Sequence, residues 1–243
     1  MPHRARGVDT ANLTTLVAEH SFFKLKRRSV YGVAMAETQQ GRRGSYAKGI
    51  AKREEILERA LEVIAREGYR GASVKELADA VGLSQAGLLH YFDSKEELFI
   101  EIVRKRDEVD MAKYGPAMVA SDAPDRLRDG YLQVIRHNTD VPGLVELYSR
   151  MSVEAADPQH PAHRFFLDRG RNLRDLFSEE LARSAAAGEI TDRVEPETLA
   201  RIFQAVADGL QLQWMLEPDL DMAGIVSQLF VLLSPPANGQ DHR

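Results

Sequence analysis

Residues Ala72 to Leu98, ASVKELADAVGLSQAGLLHYFDSKEEL, constrain the fold more than any other part of this 243-residue chain. Val74, Leu77, Ala78 and Val81 recur at i, i+3, i+4 and i+7, the apolar stripe of a short amphipathic helix, and Ser73 is placed to cap its start. Gly82 follows at once. Its freedom to adopt a left-handed backbone suits a tight turn, and Ser84 can cap the helix beyond it. That second helix is predicted over about eight residues, Gln85 to Phe92. The order is that of a helix-turn-helix followed by a third helix.

At about 100° per residue, Gln85, Ala86, Leu89 and His90 share one arc of the second helix, and Gly87, Leu88, Tyr91 and Phe92 the other. The second arc packs and the first is free to read. Small Ala86 and Gly87 near the helix start let a backbone approach a DNA groove closely, and Gln85 can pair with a base edge, adenine being its usual partner. A glycine-centred corner alone is also what any small three-helix domain presents.

The stretch from about Ile50 to Arg104 resembles the DNA-binding domain of the TetR family of bacterial transcriptional regulators. REEILERALEVIAREGY, SVKELADAVGLS and LLHYFDSKEEL carry the resemblance, in order and spacing. It departs at Leu89, where the family usually has an aromatic residue, and at Asp93, where Pro or Gly is frequent. The resemblance implies an all-α fold, with an N-terminal three-helix helix-turn-helix domain and a C-terminal helical ligand-binding and dimerisation domain. It further implies a homodimeric repressor on double-stranded operator DNA, released by a small-molecule effector. The helix from Gln85 to Tyr91 is then expected in the major groove, with Ser84, His90, Tyr91 and Lys95 near phosphates and Ser73 also at the DNA.

A net charge of −5 is unusual for such a protein until it is divided along the chain. Residues 1–53 hold 11 Lys or Arg against 3 Asp or Glu, a balance of +8, while the remainder holds 21 against 34, a balance of −13. The basic arm before the motif, with Arg42, Arg43 and Lys48, can neutralise phosphates or enter a minor groove. The acidic remainder is repelled from DNA. Absence of cysteine excludes disulfides and thiol chemistry. No apolar run reaches the ~18 residues of a membrane span, so a cytoplasmic protein with no membrane partner is expected. Family members commonly begin shortly before their first helix, which makes Met35 the expected true start and residues 1–34 an upstream extension. The expected organisation is a flexible basic extension over 1–48, the helix-turn-helix domain with a linking fourth helix over 49–110, the effector and dimerisation domain over 111–235, and a disordered tail over 236–243.

Beyond Ser94 the pattern is helical. Ser94 and Glu97 form a capping-box pair opening a fourth helix of about 18 residues, and prolines or glycines then divide the chain, beginning with Gly115-Pro116. Helices are predicted at about 124–138, 142–156, 161–187, 196–216 and 221–233. Leu199, Phe203, Val206, Leu210 and Trp214 on the penultimate helix, with Ile225 and Leu229 on the last, are the expected dimer contacts, paired as a four-helix bundle. His137, Tyr148, Met151, Phe165, Phe166, Arg169, Gln211 and Met215 are the candidate effector lining.

Catalytic signatures are missing: the chain has no Walker loop, GxGxxG, GxSxG or HExxH, and no metal or other cofactor is expected. Two alternatives remain open at this stage. One is an architectural DNA binder without an effector. The other is a metal-dependent hydrolase built on His160 and His163, three apart beside Asp157.

Overall fold

The computed structural model describes residues 40–119 and 125–234, with side chains over 47–118 and 125–234. The described residues form helices, turns and loops, with no strand among them. From Ser45 onward they cluster as a single compact unit. The helices are α1 (Gln40–Gly71), α2 (Val74–Ala80), α3 (Gln85–Leu89), α4 (Lys95–Val119), α5 (Arg126–Asp140), α6 (Pro142–Glu154), α7 (His163–Ala186), α8 (Pro196–Leu216) and α9 (Met222–Leu233). The expected extension up to residue 39 and the tail at 236–243 lie outside the described residues.

Local chemistry sets the helix starts. Ser73 and Glu76 make a full capping box, with Glu76 N–H donating to Ser73 Oγ at 3.3 Å and Ser73 N–H to Glu76 Oε2 at 2.7 Å. Ser84 Oγ accepts from Gly87 N–H at 3.0 Å, and Ser94 Oγ from Glu97 N–H at 3.0 Å. Only the serine half of the predicted Ser94 box forms, because Glu97 turns its carboxylate to Arg53 at 3.2 Å. Pro142 and Pro196 open α6 and α8, where a missing N–H costs nothing.

Three boundaries differ from those read in the sequence. α1 begins at Gln40, within the stretch expected to be flexible; no proline stands between Gln40 and Ile50, although Gly41, Gly44 and Gly49 each weaken a helix there. α3 ends at Leu89. There Tyr91 N–H turns to Leu88 O at 3.0 Å and Phe92 N–H to Leu89 O at 3.4 Å, a tighter winding that sends Phe92 into the core. α4 instead runs straight through Pro116 to 25 residues. The proline falls in its last turn, where the freed carbonyl belongs to exposed Ala112 and water can serve it.

Two cores hold the protein together. The first joins Ile56, Leu57 and Ile64 of α1 with Leu77, Leu88, Leu98 and Ile102, and continues into Leu147 and Met151 of α6. α6 thus packs into the same core as the helix-turn-helix. The second gathers Leu132 and Ile135 of α5, Leu181 of α7, Leu199, Phe203, Leu210 and Trp214 of α8, and Val226 and Phe230 of α9. Phe203 is its centre, with ring centroids 4.6 Å from Phe230 and 5.2 Å from Phe177.

Candidate nucleic-acid interface and ligand pocket

Gly82, at φ 69°, makes the turn that sets α3 across α2. Leu88, buried completely, and Phe92 anchor the inner side of α3 and its following turn. Gln85, Ala86 and His90 stand exposed on the outer side, while Gly87, Leu89 and Tyr91 are half-buried between the two. Ser73, Ser84, Lys48 and Lys95 are also exposed, although both serine hydroxyls are engaged in capping. Lys95 Nζ lies 5.7 Å from the centroid of the Phe99 ring, leaving its charge free to reach outward. The side chains of Arg42 and Arg43 lie outside the described residues.

Arg53 is a residue whose role the sequence left hidden among the basic arm. Its guanidinium donates to the Tyr91 carbonyl, stacks 4.2 Å over the Phe92 ring, and pairs with Glu97 at 3.2 Å and Glu101 at 3.3 Å. The charge is spent inside the protein. It ties α1 to the turn after α3 and to the first turns of α4. Lys105 adds a second tie between α4 and α1, 2.8 Å from Glu54.

A pocket of about 200 Å³ opens between α4, α5, α6, α7 and α8. Tyr148, Arg169 and Gln211 of the expected lining are there. His137 stands behind the wall, 3.5 Å from Asp110. The other four do not line it. Met151 is buried in the first core, Phe165 and Phe166 pack against it, and Met215 packs against the second core. Each is drawn there by an apolar surface large enough to cover it.

The polar lining is mostly new. Arg169 grips Asp107 through two hydrogen bonds, 2.6 and 2.7 Å, and its guanidinium lies 4.6 Å over the Tyr148 ring. Tyr148 O–H donates to Asp208 at 3.1 Å, and Arg174 donates to Gln204 at 3.0 Å. Arg106, 8% exposed, donates to Asn138 Oδ1 at 2.5 Å and to the Leu144 carbonyl at 3.3 Å. Burial pushes the Tyr148 hydroxyl up to about 12 and raises the Asp110 and Asp208 carboxyls above their ordinary range. Apart from the i, i+4 spacings of Arg106–Asp110 and Gln204–Asp208, no local signal joins these residues, since the Asp107–Arg169 pair is separated by 62 positions.

The expected dimer contacts divide. Leu199, Phe203, Leu210 and Trp214 are buried within the subunit's own second core and do not face outward. Val206 and Leu229 are partly buried, and Ile225 is 41% exposed. The outward apolar face carries Ile202, Leu212 and Leu216 of α8 with Ile225 and Leu232 of α9.

The histidine loop does not converge. His163 Nδ1 sits 2.8 Å from the Ala155 carbonyl, His160 Nδ1 accepts from Ala162 N–H at 3.2 Å, and Asp157 accepts from Gln159 N–H at 2.9 Å. Each ring and the carboxylate serves the loop's own backbone. Among the described residues no group of three or more His, Cys, Asp or Glu is placed to hold a metal ion, and no helix is long and apolar enough to cross a membrane.

Comparison with known proteins agrees with this arrangement. Residues 56–102 match the model described as bacterial regulatory proteins, tetR family, and residues 153–229 that of the BetI-type transcriptional repressor, C-terminal. The chain is similar to the HTH-type transcriptional repressor AcnR of Corynebacterium diphtheriae, 30% identical over 159 residues that cover 65% of this chain and 78% of the relative. AcnR of Corynebacterium glutamicum is 31% identical over 164 residues, covering 65% and 78%. Its fold is similar to that of the reduced form of E. coli NemR, with a TM-score of 0.60 at 18% identity, covering 77% of this chain and all of that one. It is likewise similar to AibR in complex with isovaleryl coenzyme A and operator DNA, with a TM-score of 0.55 at 24% identity over 76% of this chain and 100% of that one. From its helix-turn-helix to its last helix, this chain belongs to the TetR family of bacterial transcriptional regulators.

Proposed function

We propose that the protein is a homodimeric transcriptional repressor that acts in the cytoplasm, binds double-stranded operator DNA through α3, and leaves it when a small molecule enters the pocket. It performs no catalysis in this reading. One observation carries the release step. Arg106 in the pocket wall holds the Leu144 carbonyl at 3.3 Å, and the next residue back, Gly143, packs so tightly on α1 that a Cβ there would lie 2.1 Å from the Ile64 carbonyl oxygen and 2.7 Å from Gly68 Cα. A ligand that draws on Arg106 therefore acts on the start of α6, and α6 has no slack against the first helix of the DNA-binding domain. α4 provides a second route, since it carries Arg106 at mid-length and meets Arg53 at its start.

Dimerisation is assigned to the exposed apolar faces of α8 and α9, in keeping with the family. Pairing is energetically expected, because a single small helix-turn-helix gains most of its specific affinity from two half-sites about 34–36 Å apart. Coupling need only be modest. A 100-fold loss of operator affinity corresponds to about 2.7 kcal/mol, inside the usual range for linked sites.

The test begins with operator selection from a random duplex pool, followed by fluorescence anisotropy of the selected duplex with and without compounds found by thermal shift. A releasing compound should bind the operator complex more weakly than free protein by the same factor by which it weakens operator binding. Equal affinity of every binding compound for the two forms would overturn release as the mechanism. Affinity equal for all duplexes and falling alike with salt would instead mark an architectural binder.

A further inference from the structure

The pocket is sorted along its length. Asp107 and Arg169, and Tyr148 and Asp208, meet at one end. Farther along the same helices the lining turns to Met118, Val134, Leu173 and Ala200, with the Tyr131 ring centroid 4.9 Å from that of Phe177, an apolar wall broken by the Arg174–Gln204 hydrogen bond. A molecule that fills both ends has a polar head and an apolar tail.

Its charge is constrained by the wall. The lining contains three guanidiniums, Arg106, Arg169 and Arg174, three carboxylates, Asp107, Asp110 and Asp208, and no Lys, Glu or His. Arg169 is taken by Asp107, and Arg106 Nε lies 3.4 Å from Asp110. The remaining cation and anion, Arg174 and Asp208, are held by Gln204 and by the Tyr148 hydroxyl. The site is already neutral. A charged head brings a net charge into a largely desolvated space with no free counter-charge, whereas a neutral head does not.

Two buried atoms in the wall lack a hydrogen bond: Arg106 Nε, whose 3.4 Å approach to Asp110 is an ion pair without hydrogen-bond geometry, and Gln211 Oε1, an acceptor, on residues 8% and 7% exposed. An unpaired buried polar group is costly, and a head that both accepts and donates relieves one of each. Size sets the last limit. A cavity of about 150 Å³ holds benzene, so about 200 Å³ takes roughly eight to ten non-hydrogen atoms.

We infer that the effector is a small uncharged amphiphile, with an amide or hydroxy-carbonyl head at the Arg106–Gln211 end and a short apolar tail towards Phe177. This rests on the proposal that the pocket is the effector site. It excludes free carboxylates, organic cations and nucleotide-sized thioesters.

The test compares hexanamide, hexanoate and hexylammonium, which share a tail and differ in head charge, by titration calorimetry on the full-length protein at neutral pH. Hexanamide should bind at least about tenfold more tightly than either ion, ~1.4 kcal/mol. Asp208→Asn, which leaves Tyr148 an acceptor but removes one negative charge, should move the preference to hexanoate. Equal or tighter binding of an ion to the unaltered protein, or binding of none of the three, would overturn the inference, as would an Asp208→Asn protein that keeps the original order. Operator release is read separately by anisotropy. Hexanamide that binds without releasing DNA leaves the ligand class standing and removes the release mechanism; an ion that binds and releases DNA does the reverse.

Discussion

Gln85 stands exposed on the first turn of α3, clear of the packing that holds Leu88 and Phe92, and is the side chain we propose reads a base edge. Gln85→Ala should relax base preference at one position in each half-site and cost about 1–3 kcal/mol there. Selection from a random pool with the variant checks it: unchanged preference would remove Gln85 from direct readout. Gly143 tests a different residue-scale effect. An added methyl meets backbone, which cannot rotate away, so Gly143→Ala should destabilise by about 1–3 kcal/mol in denaturant unfolding. If the α6–α1 contact transmits release, the same variant should also alter operator affinity without ligand. Asp208 gives a pH prediction. Burial raises its carboxyl above the ordinary 3.8, so the unfolded chain gives up this proton first as pH rises. The native state loses stability from near that value up through its own higher pKa, a loss that Asp208→Asn does not share. The melting-temperature difference should therefore move in the variant's favour between acid and neutral pH. A constant difference would mean that burial does not raise the Asp208 carboxyl. None of these last effects was legible in the sequence. Gln85 was, because its exposure follows from helical period alone.

Among the elements, α8 and α9 show where pattern reading succeeds and where it stops. Their limits at Pro196–Leu216 and Met222–Leu233 follow from proline placement and from Asp221, which caps Gly224 N–H at 2.8 Å. Their inner faces do not follow. α8 is apolar on more than one side, and the Leu199–Phe203–Leu210–Trp214 side is claimed by α5, α7 and α9 of the same subunit. Ile202, Leu212 and Leu216 are left outside, the last 83% exposed. Ile202→Glu combined with Ile225→Glu should therefore give a folded monomer, while Leu210→Glu should unfold the subunit by placing a charge in its core. Light scattering and circular dichroism separate the two outcomes. A double variant that remains dimeric would move the interface elsewhere. α4 carries a related lesson: the Gly115-Pro116 pair has the look of a boundary, but a proline in a last turn removes a single hydrogen bond.

At the scale of the whole molecule, charge is divided so that residues 1–53 carry +8 and the remainder, reading motif included, carries −13. Neutralising Arg42, Arg43 and Lys48 together should lower the salt slope of operator binding by about one unit for each phosphate left without its cation, and leave base preference unchanged. Anisotropy across a potassium chloride series measures it; an unchanged slope would take the arm off the DNA. The order of helices, the turn at Gly82 and the exposure of Gln85, Ala86 and His90 were determined by the sequence alone, because capping, glycine conformation and a 3.6-residue period act over a few neighbouring residues, whereas Leu89 of the same arc is half-buried. The pocket was decided only by tertiary structure. Its wall joins Arg106 to Asn138 across 32 positions, Tyr148 to Asp208 across 60 and Asp107 to Arg169 across 62. Nothing local distinguishes these residues from the many charged and polar side chains on solvated helix faces. They become a site only when five helices, each placed by where its apolar face found cover, leave the same space between them.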